Sequence, residues 1–253
     1  MREKLLIAGD TNTGKTMTII HLATVYPNST VVAFDAEGDI DLTLEEMKAS
    51  IGVTLPNLVV VNVKPDWYEF VGKYKEFKVK LKPEDWMCFD MMGVFWDLAQ
   101  IYFARRVFGE SPSEHILKLK EQAKRTDFAG FDGLTEWSLI KRMHNEDVFD
   151  DAVRWSDFNV LATTSLTDFS PKEKIPPTGY DYIMANEFGK KLEGEKHNRY
   201  RFRDILIIYV RKDGHFCYKV VKQKNTVMTM PLVEHDFTGR SLIEVYREVK
   251  YAH

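Results

Sequence analysis

The residues with the most specific chemistry lie between positions 9 and 16. Gly9-Asp10-Thr11-Asn12-Thr13-Gly14-Lys15-Thr16 has the spacing G-x-x-x-x-G-K-T. The apolar run Lys4 to Ala8 precedes it, and Thr16 to Tyr26, with Ile19, Ile20, Leu22 and Ala23 at helical spacing, follows. Glycines let a backbone wrap closely around phosphate oxygens, and successive N–H groups with a helix N-terminus then face the anion. Gly9, Asp10, Thr11, Asn12, Thr13, Gly14, Lys15 and Thr16 are therefore expected to cradle a polyphosphate. Lys15 is expected to reach the β- and γ-phosphates and the Thr16 hydroxyl to bind Mg²⁺.

Two acids fall where such a site needs them. Asp90 closes the apolar run Trp86-Met87-Cys88-Phe89, a place where phosphoryl-transfer proteins hold Mg²⁺, so Asp90 joins Thr16 as the expected metal side. Glu37 follows a second apolar run, Val31 to Phe34, in the sequence Asp35-Ala36-Glu37-Gly38. The carboxyl ends of strands in an open parallel sheet line one crevice, so Glu37 is expected to face the γ-phosphate and to orient or deprotonate a water. The competing reading of Glu37 is an acidic turn before a helix.

The elements that must position these residues follow from the apolar runs. Thr30 to Asp35, Asn57 to Val63, Trp86 to Asp90, Asn159 to Leu166, Asp204 to Val210 and His215 to Lys222 are mostly continuous rather than alternating. Continuous runs of this length suit strands buried on both faces. With helical patterns between the early ones, this predicts an α/β fold with a mostly parallel twisted sheet flanked by helices. Arg211-Lys212-Asp213-Gly214 reads as a hairpin turn, predicting antiparallel strands at the C-terminal end. Residues 91–156 read as a helical insertion, broken at Gly109–Pro112 and Gly130–Gly133. Residues 167–202, with Pro171, Pro176 and Pro177, read as a long flexible loop. The whole chain, 1–253, reads as one domain.

Composition agrees with a packed protein: 253 residues, 44% hydrophobic, 29% charged. The 35 Lys and Arg against 38 Asp and Glu exclude a globally basic coat, though not a local basic face. No apolar run reaches a membrane-spanning length and no signal-peptide pattern opens the chain, so a cytoplasmic protein is expected. Cys88 and Cys217 sit in apolar stretches and read as buried free thiols. The histidines form no H-E-x-x-H or Cys/His cluster, so zinc is not indicated.

Three segments together resemble the RecA-like P-loop ATPase family, including compact phage relatives that anneal single strands. They are the phosphate loop, Ala33-Phe34-Asp35-Ala36-Glu37, and Lys219-Val220-Val221-Lys222-Gln223-Lys224-Asn225. The resemblance implies a RecA-like fold, ATP and Mg²⁺ as ligands, and Glu37 as the catalytic carboxylate beside Lys15. It also implies Lys222 and Lys224 as residues that enter a neighbouring subunit's ATP site, and so a homo-oligomer, ring or filament. It covers roughly residues 1–65, 84–92 and 158–231. The chain departs from the family at Met91-Met92, and it lacks the glutamine after the fifth core strand, where Thr164 or Ser165 stands instead.

In that family the loops after the fourth and fifth core strands hold single-stranded DNA. The second corresponds here to 167–202, with Lys172, Lys174, Lys190, Lys191, Lys196, Arg199 and Arg201 among Tyr180, Tyr182, Phe188, Tyr200 and Phe202. Basic residues with aromatics suit phosphates and stacked bases, but acids are interspersed. Arg105, Arg106, Lys118, Lys120, Lys124 and Arg125 form a second candidate face, with the wet side of an amphipathic helix as its rival reading. The expected function is an oligomeric ATP hydrolase acting on single-stranded DNA in recombination, annealing or replication. The rivals are a nucleotide switch, favoured by the D-x-x-G spacing of Asp90 to Gly93 but lacking N-K-x-D; a small-molecule phosphotransferase with Arg199, Arg201 and Arg203 as its lid; and a packaging-type ATPase.

Overall fold

The computed structural model describes residues 2–123 and 136–252. The first half alternates strand and helix: β1 (Lys4–Gly9), α1 (Lys15–Val25), β2 (Val31–Asp35), α2 (Asp39–Ile51), β3 (Leu58–Asn62), α3 (Trp67–Lys78) and β4 (Trp86–Asp90). Helices α4 (Met92–Phe108), α5 (Pro112–Ala123) and α6 (Glu136–His144) follow, then two π-helical turns, Asn145–Phe149 and Asp151–Trp155. The Gly130–Gly133 break lies outside the described residues. The chain re-enters the sheet as β5 (Asn159–Thr164) and makes a small excursion through β6 (Leu166–Asp168), α7 (Tyr180–Phe188), β7 (Lys190–Leu192) and α8 (Asn198–Arg201). It closes with β8 (Asp204–Val210), β9 (Phe216–Gln223), β10 (Thr226–Val227), β11 (Glu234–Asp236) and α9 (Leu242–Tyr251).

The sheet order is β3-β2-β4-β5-β1-β8-β9-β10, with β11 also on β9. Strands β3 through β8 in that order run parallel; β9 reverses against β8, and β10 and β11 run antiparallel to β9. This is the expected α/β class, with the expected antiparallel C-terminal hairpin. Alternation along each strand divides the core in two. Leu6, Val32, Phe34, Phe89 and Ile207 face α3, α4, the π-helical turns and α7. Leu5, Ile7, Ala33, Cys88 and Leu206 face Ile19, Ile20 and Leu22 of α1 and Leu242, Ile243 and Tyr246 of α9. Each Val, Leu, Ile or Phe among them contributes about 1.5–3 kcal/mol by leaving water. Both cysteines are buried and free. Among the described residues, no helix is long and apolar enough to cross a membrane.

The stretch read as a flexible loop is more ordered than its weak periodicity suggests. Strands β6 and β7 pair antiparallel, Leu166 opposite Leu192, and Ile183 and Met184 of α7 bury against the main core.

His144 lies at the heart of the aromatic layer. Its ring is fully buried, stacked on Trp67 at 5.8 Å, edge-on to Trp96 at 5.2 Å and 4.4 Å from Phe149. Nδ1 donates to Asn145 Oδ1 at 2.9 Å, and Nε2 has no partner among the described residues. Burial pushes its pKa down to about 3, against the opposing bond to Asn145. A folded-state value below the unfolded one means that the unfolded chain takes the proton first. Stability attributable to His144 is thus present above the ordinary imidazole value, and is lost at about 1.4 kcal/mol per pH unit as pH falls below it. Urea denaturation at pH 7 and pH 5 should show this loss in the wild type and a smaller one in His144→Phe; equal losses in both proteins would refute it.

Candidate active site

β1 ends at Gly9, whose missing side chain is a spatial requirement. A Cβ there would lie 2.5 Å from Thr13 Oγ1 and 2.6 Å from the Ile208 carbonyl oxygen of β8. Gly14, immediately before α1, has φ of 93°, a left-handed conformation that L side chains adopt only at a cost. The turn is braced from within by Thr13 Oγ1 donating to the Asp10 carbonyl at 2.8 Å. Lys15 Nζ folds over the turn and donates to the carbonyls of Gly9 at 2.9 Å and Asp10 at 2.8 Å.

Sheet register brings the metal-side residues together. Asp90 lies beside Asp35 across β4 and β2. Its carboxylate is buried and accepts from the Thr16 hydroxyl at 3.1 Å and from Thr163 Oγ1. Burial raises the Asp90 pKa, against the Thr163 hydrogen bond, with Asp35 adding to the rise. An oxygen pair from Thr16 and Asp90 beside the Gly9–Thr16 turn would match the hard, oxygen-seeking character of Mg²⁺. Among the described residues no group of three or more His, Cys, Asp or Glu forms a cage for a metal by itself. A cation here would share its shell with phosphate and water, the habit of Mg²⁺.

Glu37 is positioned by a carboxylate that sequence reasoning left without a role. Asp35 accepts from the backbone N–H groups of Glu37 at 3.0 Å, Gly38 at 2.7 Å and Ile40 at 2.8 Å. This clamp fixes the turn into α2 and leaves the exposed Glu37 side chain on the wall of the cleft that Lys15 and Thr16 also line. Partial burial and then the charges of Asp90 and Asp39 raise the Glu37 pKa, while Lys15 opposes them. Burial lowers the Lys15 pKa, against Asp90, Glu37, Asp10 and Glu193. Four carboxylates thus act on one ammonium group.

Glu193 is an addition that no motif in the sequence points to. It follows β7, and its chain is held by Glu193 N donating to the Ser165 carbonyl at 3.0 Å. Gly194 packs against Met92 and Gly93 at the start of α4, and a Cβ on Gly93 would lie 3.2 Å from the Glu193 side chain. The Glu193 side chain thus packs tightly on the glycine of the D-x-x-G spacing. Lys190 spans back to Asp10 of the phosphate turn at 2.8 Å. Of the two hydroxyls after the fifth core strand, Ser165 lines the cleft, whereas Thr164 is buried and donates to the Glu193 carbonyl at 3.1 Å.

The cleft has a volume of about 1130 Å³ and runs from the phosphate turn along α1 to Phe216, Phe237 and Leu242. One end is polar and anion-seeking; the other is aromatic and suited to a flat base.

Lys222 and Lys224 are not in this cleft, and the two do not share an environment. Lys222 is buried, and its Nζ donates to the carbonyls of Phe202 at 2.6 Å and Arg199 at 3.0 Å. Lys224 is exposed at the β9–β10 turn, with φ of 49°. The reason is the antiparallel return: β9 runs away from the phosphate turn, and Lys222 pairs with Ile205 near the start of β8.

Several of the cations expected to meet nucleic acid are also engaged. Lys191 pairs with Glu173, Arg199 with Asp181, and Arg201 with Asp150 at 2.8 Å. Lys118 reaches Glu110 at 3.4 Å; Lys124 and Arg125 lie outside the described residues. Arg199, Arg201 and Arg203 lie near the start of β8, remote from the phosphate turn, so they form no lid over it.

No family model and no curated protein matches this chain. Among solved structures it is similar to one titled as the crystal structure of the RadB recombinase. The match covers 94% of this chain and 89% of that chain at 14% identity, with a TM-score of 0.49.

Proposed function

We propose that this chain is a RecA-like ATPase that works as an oligomer on single-stranded DNA. The observation that carries the reading is the convergence of the phosphate turn, the Thr16–Asp90 pair and Glu37 on one cleft at the carboxyl ends of parallel strands. Gly9 to Thr16 hold the polyphosphate through main-chain N–H groups, and Lys15 turns from the Gly9 and Asp10 carbonyls to the phosphate oxygens. Phe216 and Phe237 flank the base. Mg²⁺ held by Thr16 and Asp90 supplies charge neutralisation on the phosphates. Glu37 orients the attacking water and accepts its proton, which its raised pKa favours. Ser165 lines the cleft in place of the missing glutamine, its hydroxyl donating to Met91 Sδ at 3.1 Å.

Of the lysine pair, Lys224 is free to enter a neighbour's site; Lys222 would first have to leave the Phe202 and Arg199 carbonyls. The test is ATP turnover per chain against protein concentration, with and without single-stranded DNA. Turnover should rise with both. A mixture of Lys15→Ala and Lys224→Ala chains should exceed either alone, because each supplies what the other lacks. Turnover independent of concentration and of DNA would leave an isolated nucleotide switch as the better reading, and competition by GTP would then identify its base.

A further inference from the structure

A second cavity lies at the other end of the sheet. It has a volume of about 1000 Å³ and is lined by the starts of β1 and β8, the residues before β4 and β5, and the β9–β10 turn. Seven of its lining side chains are Lys or Arg, and none of the described ones is acidic. Four of the seven pair with acids just outside the lining, Arg2 with Asp157, Arg154 and Arg201 with Asp150, and Arg199 with Asp181.

Two of these cations, Lys4 and Lys222, are buried with no carboxylate in hydrogen-bond reach among the described residues. Lys4 Nζ donates to the Ser156 hydroxyl at 2.6 Å and to the carbonyls of Ala152 and Phe158 at 2.9 Å each. Lys222 is held by carbonyls, as described above. Neutral oxygens satisfy their hydrogen bonds, while Asp157 and Asp204 act on Lys4 and Lys222 respectively only through space. Burial, and then the charge of Arg2, push the Lys4 pKa down to about 7. The rim adds Arg2, paired with Asp157 at 2.5 Å, and Arg154, 3.4 Å from Asp150. Arg203, half-buried between them, makes no ion pair among the described residues, and its Nε is buried without a partner. Beside it stands Tyr200, 59% exposed, with the Arg199 guanidinium 4.8 Å from its ring centre.

We infer that this basic cavity binds the phosphodiester backbone of a single-stranded nucleic acid, with Arg203 and Arg2 on phosphates and Tyr200 stacked on an unpaired base. Arg203, with no ion pair among the described residues and a buried Nε without a partner, calls for an anion. An exposed aromatic ring beside it selects a strand whose bases are free to stack. The inference rests on the reading of a single strand as this chain's partner, and it places that strand at the end of the sheet remote from the phosphate turn.

The test is fluorescence anisotropy of a labelled oligothymidylate titrated with the full chain over a salt series. Tyr200→Ala is expected to weaken binding about tenfold. Arg203→Gln is expected to weaken it comparably and to reduce the logarithmic salt slope by about 0.7. The exposed Arg2→Gln gives a third variant with little burden on folding. Binding of a fluorescent ATP analogue and the thermal midpoint should stay at wild-type values. If the wild type binds the oligonucleotide and all three variants bind equally well, the cavity is the wrong place while the partner stands. If the wild type binds no oligonucleotide at low salt, the partner reading fails and the cavity proposal with it. If tripolyphosphate or poly-glutamate of equal charge competes as well as unlabelled oligothymidylate, the cavity is a general anion site and the proposal is overturned.

Discussion

Changing Glu37 to Gln should lower ATP turnover by about a hundredfold or more while leaving ATP-analogue affinity nearly unchanged. The separation follows from how the residue is held. The turn that carries Glu37 is fixed by the Asp35 carboxylate through three backbone N–H groups, none of which involves the Glu37 side chain. A Gln of the same length therefore keeps the wall of the cleft and removes only the proton acceptor. Loss of a positioned general base typically costs 10²–10⁴ in rate. The pH profile supplies a second readout. Because burial, Asp90 and Asp39 raise the Glu37 pKa, the wild-type rate should begin to fall on the acid side above the ordinary glutamate range. The Gln variant should lack that limb. Turnover within threefold of wild type would remove Glu37 from the chemistry and return it to the reading of an acidic turn.

Gly9→Ala should abolish nucleotide binding and also cost about 3 kcal/mol of stability, at the upper end of what overpacking usually costs. Phosphate turns are often treated as detachable from the fold beneath them; here the two are joined at one atom. The added Cβ would meet the Thr13 hydroxyl, which can rotate away, and the Ile208 carbonyl, which cannot. Gly9 is in register with Ile208 across β1 and β8. Relief therefore requires either the top of that ladder to part or the turn to move off its position. Urea denaturation and calorimetry with an ATP analogue read the two losses separately. A variant that binds the analogue with wild-type affinity would show the turn to be far more compliant than its packing implies.

What the sequence disclosed and what it withheld divide along physical lines. The parallel strands were legible because each is buried on both faces and so reads as a continuous apolar run, as in Trp86 to Asp90. The turn from Gly9 into α1 was legible as a strand-to-helix turn because its glycines are dictated by local geometry. Asp90 was legible as a strand end, but its partner Thr163 was not, since only the pairing of β4 with β5 brings them together. Asp35 and Glu37 were seen as acids of one turn; that the first clamps the backbone of the second depends on hydrogen bonds no spacing reveals. Lys222 was the least legible. A lysine in a strand reads as a solvated or reaching cation, and its carbonyl partners at Arg199 and Phe202 lie some twenty residues earlier, in a stretch whose weak periodicity concealed α7 and α8.

β1 begins at Lys4 in the basic cavity and ends at Gly9 in the phosphate turn, a span of about 20 Å. It is hydrogen-bonded to β5 on one side and β8 on the other for nearly its whole length. A rod so confined has little freedom to absorb displacement at one tip without passing it to the other. Thermodynamic linkage then imposes symmetry on any traffic along it: the factor by which ATP changes the hold on a polyanion at Lys4 must equal the factor by which that polyanion changes the hold on ATP.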